Sequence, residues 1–185
     1  MKNIEYGFRK IFLIGAFMIF LLLMMVSSGC KKKSDSTITP SGPSYQQVNL
    51  VADTAGLGAA IIDINLKNAW GIAIGPTGAL WISSNHKGLA TIYDRNGATL
   101  LTPVAIPSQG TQFGGSPSGV VYNSTADFVI PVSGETSKFI FVQEDGTISA
   151  WSSGDSTRRV AHLSDSVVYK GVTIANDGSA ILKTG

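Results

Sequence analysis

The sequence predicts an all-β fold after an apolar N-terminal segment, and three observations support this. The 185 residues include 21 Gly against 8 Phe, 5 Tyr and 3 Trp, a balance that suits strands and turns better than helices. After residue 30 short apolar runs alternate with clusters of Gly, Asn, Asp and Pro, and a helical period is absent beyond a short turn near 63–67. Three stretches also resemble one another at a spacing of about 50 residues, which indicates a repeated β unit.

Residues 1–29 have the layout of a lipoprotein signal peptide. A basic start with Lys2, Arg9 and Lys10 precedes 16 apolar residues at 11–26, and small residues lead directly to Cys30. This layout resembles a lipobox, since the signal peptidase that cuts before cysteine needs small side chains in its pocket. The freed Cys30 then carries a diacylglyceryl thioether and usually an N-acyl chain, and two or more buried acyl chains anchor a protein stably. We therefore predict lipid attachment at Cys30.

Two features of this segment depart from the commonest pattern. Ser27 stands where Leu is usual, and the lysines at 31–33 oppose translocation under the positive-inside tendency. The alternative is an uncleaved signal-anchor helix, but 16 apolar residues are short for a span that needs about 20. The predicted location is the cell envelope, membrane-anchored and facing either the periplasm or the cell surface.

Residues 30–45 are predicted to be a disordered tether, and residues 46–185 an incomplete propeller repeat region. The tether consists mainly of Lys, Ser, Thr, Pro and Gly, which bury too little apolar surface to offset the entropy of ordering.

The part of the sequence from Cys30 onward contains 11 basic and 11 acidic residues, so the exported part has no net charge. A neutral surface lacks the long-range field that draws in phosphates, and nucleic acid is therefore excluded as a partner.

The repeats are aligned on the matching glycines Gly71, Gly119 and Gly171. They lie 48 and 52 residues apart, close to the length of one four-stranded propeller blade. The second repeat shows strand-like runs at 116–122, 127–131, 138–142 and 147–151, and the third stops just after its turn, so that 180–185 no longer follow the pattern. Glycine-containing turns at 75–78, 96–97, 145–146 and 176–178 predict tight hairpins with positive φ. The fold class is thus a partial β-propeller of about 2.5 to 3 four-stranded blades.

The repeat region resembles an uncharacterised family of exported β-propeller proteins, some of whose members carry sorting signals for the cell envelope. The resemblance is carried by the runs at 49–53, 65–73, 75–77, 80–85, 113–120 and 168–172. More loosely, the run 71–83 is similar to the repeat of NHL-type six-bladed propellers, in which it forms two adjacent strands of a blade. The resemblance carries no established activity.

A propeller of about six blades needs about 300 residues, whereas 46–185 supplies 140. We therefore expect a truncated or partial propeller. An unclosed ring leaves sheet edges open, which predicts marginal stability and a tendency to associate.

Metal and catalytic motifs are weak in this sequence. His86 and His162, the only histidines, lie 76 residues apart without a partner at metal-ligand spacing, so neither a metal site nor a catalytic residue is predicted. The acidic residues stand singly beside turn residues without a D-x-D-x-D-G loop, which leaves calcium as a minor alternative and no other cofactor. The serines of 114–119 lack the strand-turn-helix context of a nucleophile, and this stretch is interpreted as a loop entering a strand.

Aromatic residues give the candidate ligand site. The aromatic residues of the strands are expected to pack between blades: Trp70, Trp81, Phe139, Phe141 and Trp151. The alternative for Trp70, which precedes Gly71, is stacking on a ligand at the top of the central channel. Asn68, Asn85 and Ser118 are predicted to lie near the same rim.

Two functions follow from these features. The first is a surface binding or scaffold module, held at the membrane by its lipid anchor and recognising a polymer, peptide or partner protein over the propeller top. The alternative is a propeller hydrolase, lactonase-like or glycan-active, with a central metal held by carboxylates and asparagines. The absence of a catalytic constellation favours the binding module.

Overall fold

The computed structural model describes residues 45–164, 166–176 and 180–183. The predicted signal peptide, Cys30 and nearly all of the predicted tether lie outside these residues. The fold below is that of the second of two units into which the chain divides, Gln47–Gly185. Within the described ranges, no helix has the length and apolar character needed to cross a membrane.

The second unit begins with a short parallel strand pair and continues into a four-stranded antiparallel sheet. The pair consists of β1 (Val51–Ala52) and β2 (Ile61–Ile62). The sheet, the first blade, contains β3 (Ala69–Ile74), β4 (Leu80–Ser84), β5 (Leu89–Tyr93) and β6 (Val104–Ala105), which are neighbours in chain order. Hairpins between consecutive strands give the meander expected of a propeller blade.

The second blade repeats this arrangement with β7 (Pro117–Tyr122), β8 (Phe139–Gln143), β9 (Thr147–Trp151) and β10 (Arg158–His162). Its second strand was predicted at 127–131, and this was wrong. That stretch belongs to the loop between β7 and β8, where the Asn123 side-chain amide donates to the carbonyls of Asp127 and Ser137, both at 2.9 Å. Phe128 has a φ of 60°, which breaks extended backbone.

The third repeat forms a hairpin of β11 (Thr173–Asn176) and β12 (Ala180–Lys183). The prediction that residues 180–185 leave the repeat was wrong for 180–183, because β12 pairs with β11 in antiparallel register. Two four-stranded sheets and part of a third confirm the all-β, partial-propeller prediction.

Three of the predicted hairpin turns have the expected backbone. Gly78, Gly97 and Gly146 have φ values of 80°, 87° and 75°. An L side chain at such a φ is strained, so glycine is the residue that these turns require. The fourth predicted turn, at 176–178, falls largely outside the described residues.

The core lies between the first and second blades. Trp81 of β4 stacks on Phe139 of β8 with ring centroids 4.0 Å apart and an interplanar angle of 20°. Trp151 of β9 and Phe141 of β8 lie 4.6 and 6.4 Å from the same indole ring. The predicted aromatic packing between blades is therefore confirmed for these four residues, and it holds the innermost strands β3 and β7 side by side. It was wrong for Trp70, which is 42% exposed.

Candidate functional site

Residues from all three repeats meet at one end of the innermost strands. Trp70, Ser118 and Lys170 occupy equivalent positions, because each immediately precedes the matching glycine of its repeat. Asn85 follows β4 of the first blade, and Glu144 follows β8 of the second, so these two residues also match. We call Asn68, Trp70, Asn85, Glu144 and Lys170 the rim cluster.

Asn85 is the buried centre of the rim cluster. It opens a short 3-10 helix, Asn85–Lys87, and its side chain is 5% exposed. Its Nδ2 donates to Glu144 Oε2 at 3.0 Å and to the Pro117 carbonyl at 3.3 Å, while its Oδ1 accepts from Asn68 Nδ2 at 3.3 Å. Both polar atoms of the side-chain amide are thus hydrogen-bonded, and its Nδ2 joins the first blade to the second.

Glu144 and Lys170 form an ion pair between the second and third repeats. The hydrogen bond from Lys170, followed by the bond from Asn85, lowers the pKa of Glu144 below its usual value. The carboxylate is therefore ionised at neutral pH. Because its pKa is depressed on folding, its contribution to stability is present above the unfolded pKa and is lost as the pH falls through the folded pKa.

Trp70 is the exposed aromatic group of the rim cluster. The residue is 42% exposed, and its Nε1 donates to Asn68 Oδ1 at 3.2 Å. The Lys170 Nζ lies 5.0 Å from the centre of its ring, within the range of a cation–π contact. The indole is therefore oriented by two neighbours while part of its surface stays accessible.

Ser118 is, like Asn85, a buried member of the predicted site. It is buried, and its Oγ lies 2.6 Å from the Tyr169 carbonyl and 3.3 Å from the Val142 carbonyl. The hydroxyl thus ties the second repeat to the third instead of facing solvent. Hydrogen bonds bring Asn68, Trp70 and Asn85 together, and their role in binding a ligand stays a prediction.

Glu144 and Lys170 were missed by sequence reasoning. Glu144 precedes Asp145 and Gly146, and a turn explains an acidic residue there without any other role. Aligning the repeats on their glycines would have found Lys170, since it matches Trp70. Glu144 would still have been missed, because the longer loop between β7 and β8 places Ser133 opposite Asn85 in such an alignment.

The two histidines lie apart from each other. His86 is exposed in the 3-10 helix, and His162 ends β10. In the part of the chain that the structure describes, no three His, Cys, Asp or Glu residues are grouped so that they could hold a metal ion. The stretch 114–119 leads into β7, as interpreted from the sequence.

Comparisons with known proteins bear on the fold. No protein-family model and no curated protein sequence matches the chain. Among solved structures, a streptogramin B lyase is similar, with a TM-score of 0.49 and 15% identity over 67% of this chain and 36% of that one. Virginiamycin B lyase from Staphylococcus aureus matches with a TM-score of 0.35 and 16% identity, covering 49% of this chain and 26% of that one.

This chain therefore spans about a third or less of the length of these two structures. The propeller assignment depends on the chain's own sheets, in which successive four-stranded meanders pack face to face around adjacent innermost strands.

Proposed function

We propose that this protein is a lipid-anchored binding module of the cell envelope that recognises a carbohydrate at the rim cluster. The observation that supports it is the convergence of an exposed indole and paired polar groups from three repeats at one end of the innermost strands. Propeller ligands commonly bind there. Cys30 and the tether predicted at 30–45 would hold this surface close to a membrane.

The chemistry of the rim cluster suits a neutral, polyhydroxylated ligand. The accessible part of the Trp70 ring offers an apolar surface on which the C–H face of a sugar can stack. The Glu144 carboxylate and the Lys170 ammonium supply an acceptor and donors for sugar hydroxyls. Because these two charges are paired, the cluster has no excess of either sign that would favour an ionic ligand.

Replacing Trp70 by alanine tests this proposal. The probe is a panel of neutral envelope-type oligosaccharides, including β-1,4-linked glucose and N-acetylglucosamine oligomers, titrated calorimetrically into the full chain in detergent. We expect at least one oligosaccharide to bind and Trp70→Ala to raise its Kd about tenfold, a loss of about 1.4 kcal/mol, because the variant removes the aromatic surface on which the sugar stacks.

The matched control is Phe113→Ala, which removes another exposed aromatic ring outside the rim cluster. It should leave the Kd within about twofold, a difference of about 0.4 kcal/mol. The proposal fails if none of the oligosaccharides binds, or if the two alanine variants weaken binding equally.

The alternative function, a propeller hydrolase with a central metal, has one supporting observation. The side-chain oxygens of Asn68, Asn85 and Glu144 lie in one cluster, and these are donor types that calcium accepts. The Lys170 ammonium, however, already occupies the cation position beside the carboxylate. A metal would have to displace it.

A calcium titration separates the two functions. For the binding module we expect the midpoint of thermal unfolding to stay constant up to millimolar calcium, with equimolar magnesium as the control. A midpoint that rises with calcium concentration, and with calcium only, would indicate specific binding to the folded protein and support the hydrolase.

A further inference from the structure

Lys170 contacts residues of both preceding repeats. Its Nζ forms an ion pair with Glu144 of the second repeat and lies 5.0 Å from the centre of the Trp70 ring in the first. An aromatic face beside a carboxylate is a combination that binds an ammonium group, because both the ring face and the carboxylate attract positive charge. Trp70 and Glu144 thus form an ammonium site, and the side chain of Lys170 occupies it.

Hydrogen bonds that do not involve Lys170 also hold the two walls of the ammonium site. On one side, Glu144 Oε2 accepts from Asn85 Nδ2 at 3.0 Å. On the other, Trp70 Nε1 donates to Asn68 Oδ1 at 3.2 Å, and Asn68 Nδ2 donates to Asn85 Oδ1 at 3.3 Å. Because this series of bonds connects the carboxylate to the indole through the buried Asn85, we expect the site to keep its shape when Lys170 is replaced.

The ion pair of Lys170 with Glu144 lies at the surface. The side chains are 61% and 30% exposed, respectively. An exposed ion pair contributes little to stability, because solvent screens both charges and the long side chain loses rotamer freedom. Lys170 nevertheless neutralises the carboxylate directly beside the exposed indole. Its effect is therefore expected on the ligand that binds there, with little effect on folding.

We propose that Lys170 determines the charge of the sugar that the rim cluster accepts. The inference rests on the proposed carbohydrate-binding function and narrows its ligand class. An amino sugar carries a protonated amine, which meets the ammonium group of Lys170 and finds the Glu144 carboxylate already paired. An N-acetylated sugar has no charge and avoids both penalties. The rim cluster therefore selects N-acetylated sugars over their deacetylated forms.

Replacing Lys170 by methionine empties the ammonium site and keeps a long, unbranched side chain. The probes are oligomers of β-1,4-linked N-acetylglucosamine and of β-1,4-linked glucosamine, equal in length. They are titrated calorimetrically into the full chain in detergent at mildly acidic pH, where the glucosamine amines are protonated. We expect the unchanged protein to bind the N-acetylated oligomer about tenfold more tightly, and Lys170→Met to bind the deacetylated one about tenfold more tightly. An exposed cation–π contact and an exposed ion pair together account for about that factor.

Lys138→Met is the matched control. It removes the same charge from another exposed lysine, whose Nζ lies 5.7 Å from the centre of the Trp151 ring, outside the rim cluster. The ratio of the two Kd values should stay within about twofold of that of the unchanged protein. Lys170→Arg keeps the charge at the ammonium site, and it should also keep the preference for the N-acetylated oligomer. The midpoint of thermal unfolding should be the same in all three variants, so that differences in binding report on the site.

The possible results separate this inference from the proposed function. Binding of the N-acetylated oligomer with the same preference in Lys170→Met and Lys138→Met would overturn the role of Lys170 and leave the proposed function standing. A reversed preference in Lys138→Met or Lys170→Arg would overturn it as well, because the reversal would then not depend on the charge at the ammonium site. If the unchanged protein and every variant fail to bind either oligomer, both the inference and carbohydrate binding at the rim cluster are wrong.

Discussion

Replacing Trp81 by alanine is expected to lower the free energy of unfolding by about 3–5 kcal/mol. Trp81 is 3% exposed, and its ring partners Phe139, Phe141 and Trp151 all belong to the second blade. The substitution therefore opens a cavity in the only aromatic cluster found between blades among the described residues. A domain has about 5–15 kcal/mol of stability in total, so the variant would lose much of its cooperative unfolding transition.

Urea denaturation followed by far-UV circular dichroism measures this effect. The matched control is Trp70→Ala, which removes the same atoms from a position that is 42% exposed. We expect the control to cost no more than about 1 kcal/mol, as for substitutions outside the core. Equal losses in the two variants would show that the packing between blades does not determine stability.

The blade fold could be predicted from the sequence because the patterns that indicate it are either local, as in the turn glycines, or periodic, as in the repeat length. Gly78, Gly97 and Gly146 stand where hairpins need positive φ, and Gly71 and Gly119 recur at the blade length because two backbones touch there. The run 127–131 was misread, since its apolar residues look like a strand while long-range bonds from Asn123 hold it as a loop. Within β10 the sequence indicated a strand only at His162, because the preceding arginines Arg158 and Arg159 interrupt the alternation of apolar and polar residues.

Side-chain direction explains why the site was predicted only in part. Both innermost strands shift register near their start, between Ala69 and Ile72 in β3 and between Pro117 and Gly119 in β7. A bulge of this kind interrupts the alternation of side chains, so sequence position alone does not give the direction of Trp70 or Ser118. Because the same shift occurs in both strands, it does not make the equivalent residues differ. Trp70 lies at the surface beside Lys170, whereas Ser118 bonds to the carbonyls of Val142 and Tyr169.

Gln143 is the second residue whose replacement should have a large effect. It is completely buried at the end of β8, where its Oε1 accepts from the Ser116 N–H at 3.2 Å and its Nε2 donates to the Pro107 carbonyl at 2.9 Å. Gln143→Leu preserves much of the volume but leaves both backbone groups without these partners. Each of the two orphaned groups costs about 1–3 kcal/mol, so we expect a loss of about 2–6 kcal/mol.

The control for Gln143→Leu is Gln112→Leu, the same change at an exposed position in the loop that Gln143 holds. Urea denaturation should place the control within about 0.5 kcal/mol of the unchanged protein. Hydrogen exchange adds a local readout: the Ser116 amide should lose protection in Gln143→Leu and keep it in Gln112→Leu.

Because Glu144 follows Gln143 directly, a loosened loop would also shift the carboxylate that joins Asn85 to Lys170. Unchanged Ser116 protection in Gln143→Leu would mean that the loop is held by its backbone bonds alone, and that the rim cluster does not depend on this buried amide.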